Sequence, residues 1–236
     1  MSSLQKQARS AGVLYGLAGL LAPFALLYVP HALIVPGDAT ATADRIRASV
    51  TLLRLGIVSE LFCAVMFVFA VLALYRLLKG VDAGYALAML VLLLLSIPVS
   101  FVGVVNKVAA LTLVSGASFL SAFDRGQLDA LATFFLRLHG QVHAINVIFW
   151  GLWLFPFGVL VMRSGFIPRV LGILLMCAGF AYLATSFTAL LFPQHLPVVS
   201  RFAIVLQFGE APILLWLLIW GAREVRTPAT FDSIAT

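Results

Sequence analysis

Charge is what this chain lacks. Only 10% of its 236 residues are Asp, Glu, Lys or Arg, whereas a soluble domain carries about 25%. With 63% of the residues hydrophobic, most of the surface must face something other than water, which excludes one or two soluble domains of ordinary composition. Acidic residues are the scarcer sign, 9 against 15 basic, for a formal charge of +6. That excess does not point to nucleic acid, because the basic residues stand singly or in pairs beside apolar runs, without a basic stripe or aromatic interleaving. In an apolar chain such an excess sets membrane orientation instead. Cysteine is nearly absent too. Cys63 and Cys177 both fall inside apolar segments, with no CxxC and no disulfide framework, and read as small core hydrophobes. There is no P-loop, GxGxxG or nucleophile elbow, and no internal repeat or low-complexity segment.

What remains is a series of apolar runs, each near the roughly 20 residues that cross a bilayer as a helix. The expected fold is all-α, a polytopic membrane helix bundle of about six transmembrane helices. A short cytoplasmic N-terminus (1–11) precedes a single transmembrane domain (12–222), and a cytoplasmic tail (223–236) is expected to be disordered. The spans are read at 12–35, 50–75, 85–108, 144–162, 170–192 and 202–222. The first run exceeds the roughly 7–15 residues of a signal h-region, so it is expected to stay attached. Pro36-Gly37-Asp38 opens a loop that continues as a polar stretch to Arg47. Residues 109–138 are broken by Gly116, Asp124, Arg125 and Gly126, yet Leu128, Leu131, Phe135 and Leu138 keep helical spacing. An amphipathic helix on the outer surface, leading into the fourth span, is expected there.

Lys and Arg at the span ends are almost evenly divided between the two sides. The short, purely basic turn Arg163–Arg169 decides the orientation, with both termini cytoplasmic and the protein in the inner (plasma) membrane. On that orientation the polar residues are one-sided. The inner halves of the spans are apolar, whereas Arg54, Ser59, Glu60, Asn106, Lys107, Arg137, His139, His143, Asn146, Gln207 and Glu210 all lie in the outer halves. His139, His143 and Asn146 form a stripe at i, i+4 and i+7, and Gln207 and Glu210 share a face at i, i+3. An ionisable group in a bilayer costs about 2.5–3.5 kcal/mol even on the lenient insertion scale, so these groups should face inward and pair. At a rise of about 1.5 Å per residue, measured from the inner span ends, Glu210 lies roughly 20 Å up, Glu60 roughly 24 Å, His143 roughly 30 Å and His139 roughly 36 Å. Glu60 and His143 can then meet, while Glu210 and His139 need a kink, which Pro98, Pro156 or Pro212 can supply.

Each feature also has a plainer reading. The i, i+4 histidines with Glu60 are a candidate metal set (His139, His143, Glu60), but position 140 is Gly, so HExxH is absent, and paired histidines are often only hydrogen-bonded. Glu210, two residues before Pro212, is either a proton or ligand group or a carboxylate neutralised by Arg54, Arg137 or Lys107. Lys107 is expected to snorkel to the headgroups. Gly12 and Gly16 make a GxxxG that suits helix packing or a homo-oligomer face. Trp150, Trp153, Trp216 and Trp220 read as packing or interface anchors. The expected ligand set is Glu60, Glu210, His139, Arg54, Arg137, His143, Asn146, Asn106 and Gln207, around a polar pocket that takes a small molecule or lipid headgroup for binding or transport. The alternatives are an intramembrane hydrolase acting on a lipid, and a structural or regulatory protein whose polar layer only holds helices together. No cofactor can be named, and the bilayer is the one certain partner.

Four stretches carry a family resemblance: Ile34-Val-Pro-Gly-Asp-Ala-Thr-Ala-Thr-Ala43, Arg54-Leu-Gly-Ile-Val-Ser-Glu60, Ser164-Gly-Phe-Ile-Pro-Arg-Val-Leu-Gly172, and Gly209-Glu210 with Leu215-Trp216-Leu217-Leu218. They resemble a bacterial family of multi-pass membrane proteins catalogued only as a domain of unknown function. The resemblance implies the topology and no reaction. It also implies a histidine at position 139 and acids at 60 and 210. At position 143 the family pattern more often has tyrosine, a departure that weakens the metal reading.

Overall fold

The structure is a computed structural model and describes residues 3–222. Among them there is no strand, and six helical segments are long and apolar enough to cross a membrane. The first, Leu4–Leu33, is discontinuous. Helix α1 (Ser3–Leu20) gives way near Pro23 to a π-turn (Phe24–Tyr28), and α2 (Val29–Leu33) follows. A short helix α3 (Ala39–Ala48) precedes two long spans, α4 (Val50–Leu78) and α5 (Ala83–Val114). The fourth span comprises α6 (Arg125–Leu152) and α7 (Leu154–Ser164), and the fifth is α8 (Arg169–Leu191). The sixth is again discontinuous: α9 (Leu196–Gln207), a 3-10 turn (Phe208–Glu210) and α10 (Ala211–Ile219). The chain is thus a multi-pass membrane protein. Bulky apolar side chains such as Leu20, Val58, Phe180 and Val205 stay more than half exposed, as lipid-facing surface requires.

Prolines explain the breaks. Pro156 frees the carbonyl of Leu152, where α6 ends, and Pro212 frees that of Phe208, just past the end of α9. The proline-containing α5 stays continuous through Pro98.

Helix α1 already begins at Ser3. One expectation is corrected. The polar stretch to Arg47 is a helix rather than loop. Asp38 caps it by accepting from the Ala41 amide (2.8 Å), and Thr42, Ala43 and Ile46 form its buried face. The helix expected to lead into the fourth span is the first half of α6, which runs unbroken from its Asp124/Gln127 capping box to Leu152, while α5 continues to Val114. The first half of α6 is held by burial of Asp129, Ala132 and Leu136 against α3 and α5. The tail expected at 223–236 lies outside the described residues.

Small residues set the helix approaches. A Cβ on Gly151 would sit 2.8 Å from the Gly179 carbonyl oxygen, and one on Gly158 2.7 Å from that of Gly172. The two pairs run in antiparallel register and bring α6–α7 into backbone contact with α8. A Cβ on Gly12, from the GxxxG, would meet the backbone of Leu217 and Leu218 at 2.9 and 2.8 Å, so this glycine lies directly against them. It therefore packs span one on span six within one chain. Arg9 Nη2 donates to the Ile219 carbonyl at 3.2 Å, which puts the start of the first span and the end of the sixth at the same end of the bundle.

Candidate functional site

All six spans line one cavity of about 260 Å³. Tyr15, Gly19, Ala25 and Leu26 come from the first span; Glu60, Cys63, Ala64 and Phe67 from α4; Ser96, Ser100 and Gly103 from α5. Helix α6 contributes His139, His143, Asn146, Trp150 and the following Trp153, α8 contributes Tyr182, and the sixth span contributes Glu210 and Leu214. A second cavity of about 220 Å³ shares Leu26, His139 and His143 with the first. It reaches outward past Lys107 and Leu136 to Pro30, Ile34 and Ile46, beneath α3. Joined at these shared residues, the two form a chamber that extends toward the end of the bundle opposite Arg9 and Ile219.

Polar groups gather at two poles, termed outer for the one nearer α3 and inner for the other. At the outer pole Lys107 is 3% exposed, and its ammonium donates to Glu60 Oε2 at 2.6 Å. It does not snorkel: a buried carboxylate within reach is a better partner than a headgroup beyond the span. His139 Nδ1 lies 3.0 Å from the Gly103 carbonyl, which can only accept, so Nδ1 carries a proton. Its Nε2 then faces Glu60 Oε1 at 3.8 Å. Measuring height along one straight helix from Arg163 overestimates that of His139, because the fourth span breaks at Trp153. It is therefore His139, from the upper end of the stripe, that reaches Glu60.

At the inner pole the carboxylate of Glu210 accepts from two hydroxyls, Tyr15 on one oxygen and Tyr182 on the other (3.2 Å). None of Arg54, Arg137 or Lys107 neutralises it. Among the described residues Glu210 has no ion-pair partner. The break in the sixth span brings it in: a Cβ on Gly209 would lie 2.9 Å from the Leu174 carbonyl oxygen, so the turn presses directly on α8. Aromatic rings join the poles, with His143 edge-on to Trp150 (5.2 Å between centroids) and Trp150 edge-on to Tyr182 (6.5 Å).

The remaining expected residues are placed as follows. Asn146 is 2% exposed on the chamber wall, donates to Ser100 Oγ at 2.8 Å, and its Oδ1 has no partner among the described residues. Asn106 is buried off the lining and donates back to the Val102 carbonyl (2.9 Å), while Gln207 reaches Thr185 (3.3 Å). Arg54 and Arg137 are exposed and line neither cavity. Among the described residues no three His, Cys, Asp or Glu side chains converge as a metal site. Cys63 is buried on the chamber wall, and Cys177 is exposed. Tyr15, Tyr182, Trp150 and Trp153 are among the lining residues that the expected set lacks. The available signal was a tyrosine deep within an apolar run, whose hydroxyl must find a partner when buried.

Outside the spans, α3 is clasped to the start of α6. Arg47 pairs with Asp129, which is 1% exposed, and also with Asp44 (2.8 Å), and Asp44 pairs with Arg125 (2.6 Å). Arg125, and after it Arg47, hold the Asp44 carboxyl below its ordinary value, while hydrogen bonding to Asp129 raises the Arg47 guanidinium. A carboxylate with a depressed folded pKa adds stability that is complete above its unfolded value, near about 4, and is lost as pH falls through the folded value. Backbone hydrogen exchange of α3, corrected for intrinsic rate, should therefore stay slow at about pH 5 and speed up only below about pH 4. Loss of protection already at pH 5 would show that these pairs do not hold α3.

Residues 10–221 match the family described as a domain of unknown function (DUF4386). No curated protein and no solved structure matches the chain.

Proposed function

The chain belongs to the DUF4386 family, and from its chamber we propose a binding protein of the transport type. It takes a small molecule with an apolar body and hydrogen-bonding groups into the membrane interior. The observation that carries this reading is a single cavity lined by all six spans, three of which are broken beside it. Helices broken in mid-membrane leave backbone groups that need partners, and such breaks are tolerated where they line a cavity or binding site. The apolar lining from Leu26, Phe67 and Leu214 favours a molecule's body, and the two polar poles orient it. The basic turn Arg163–Arg169 supports an orientation with its side and both termini in the cytoplasm, and with the chamber opening under α3 toward the outer face of a bacterial inner membrane. Glu60, His139, His143, Asn146 and Glu210 are the groups proposed to contact the ligand.

The test is native mass spectrometry of protein extracted gently from its own membrane. Ala64 lies on the chamber wall and is 6% exposed, while its neighbour Val65 is 43% exposed. A bound mass should be present in the wild type and in Val65→Phe, and lost in Ala64→Phe, whose ring occupies the chamber. A bound mass retained equally in both variants, or absent from all three, rejects the reading.

A further inference from the structure

We propose that the inner pole is a recognition site for an organic cation, a ligand bearing a quaternary or protonated amine, resting on the chamber reading above. The charge balance of the wall leads there. Among the described residues Lys107 is the one Lys or Arg in either lining, and Glu60 already neutralises it. Glu210 is left as an acid with two hydroxyl donors and no cation. Tyrosine hydroxyls on both oxygens can donate to the ionised carboxylate, and a cation beside it would hold it in that form. An ionised carboxylate inside a membrane calls for an opposite charge, and none of the described residues supplies one, so the ligand does.

The walls around it are those that a cation selects. Tyr15 sits edge-on to Phe67 and to Trp153, each 5.9 Å between centroids, and Trp150 faces Tyr182 across the same cavity. Aromatic surfaces around an acid attract an ammonium group through their quadrupoles at little hydration cost, the recognition mode of quaternary amines. A neutral ligand gains nothing from the carboxylate, and an anionic one is repelled by it.

The experiment uses the full chain in nanodiscs and two probes of one shape, benzyltrimethylammonium and its uncharged carbon isostere neopentylbenzene. Binding of each is measured by equilibrium dialysis in excess over empty discs. The cation should bind more tightly than the isostere. Glu210→Gln should weaken the cation at least about tenfold and leave the isostere unchanged. Trp150→Leu leaves the carboxylate in place and keeps the test open if Glu210→Gln does not fold. It should weaken the cation relative to the isostere by roughly two- to fivefold. Equal binding of the two probes, or cation binding indifferent to both substitutions, overturns the cation site while leaving the chamber occupied by the isostere. Binding of neither probe above empty discs overturns it as well, and the Ala64→Phe comparison then decides the chamber separately.

Discussion

Lys107→Met should cost about 3–5 kcal/mol of stability, the range for removing one partner of a buried ion pair. Lys107 is 3% exposed and Glu60 12%, with 2.6 Å between Nζ and Oε2. Without the ammonium, Glu60 is a carboxylate in a mostly apolar cavity, with only the His139 imidazole at 3.8 Å to turn to. The double variant Glu60→Leu/Lys107→Met should recover most of the loss, since replacing a whole buried pair by apolar groups is often neutral or stabilising. Thermal unfolding in nanodiscs of the two single variants and the double gives the coupling directly. The result also separates readings of the outer pole. A large coupling makes Glu60–Lys107 a structural bolt between α4 and α5. A small one frees Glu60 to meet the ligand and weakens the charge balance that isolates Glu210.

The six spans were readable because a bilayer demands about 20 apolar residues per helix, and runs such as those around Phe69 and Leu94 have no other use. Glu60, Glu210 and the His139 stripe stood out for a related reason: each is costly in hydrocarbon and needs an inward-facing explanation. Pairing was not readable. Lys107 and Glu60 are 47 positions apart, and nothing local tells a paired lysine from one that snorkels. Arg54 and Arg137 show the converse, since a basic residue near a span end is placed as well on an exposed face as in a chamber. Tyr15, Trp150, Trp153 and Tyr182 escaped because an aromatic ring in an apolar run looks the same whether it faces lipid, a neighbouring helix or a cavity. Helix α3 was missed because its buried face is only Thr42, Ala43 and Ile46, too small to register as an apolar period. Its signal was the aspartate cap at Asp38 rather than hydrophobicity.

That same helix carries the second large effect. Arg47→Ala should destabilise the protein by about 3–5 kcal/mol, because Asp129 would remain as a buried carboxylate without its cation. Asp129 is 1% exposed, and its second oxygen already lacks a partner among the described residues. The loss should be felt at the chamber mouth. Ile46, one residue away, is fully buried and lines the second cavity, so α3 is expected to act as a cover with Arg47 as its clasp. Cys63 on the chamber wall reports on that cover. In a Cys177→Ala background, a water-soluble maleimide should label Cys63 slowly in the otherwise native protein. With Arg47→Ala added it should label at least about tenfold faster, since each 1.4 kcal/mol shifts an opening equilibrium by that factor. Arg47→Lys keeps the charge but loses the guanidinium fork, and should fall between the two. Unfolding that becomes easier while labelling stays slow would make α3 a brace for α6 and place the route into the chamber elsewhere, beginning with the broken first span that lines both cavities.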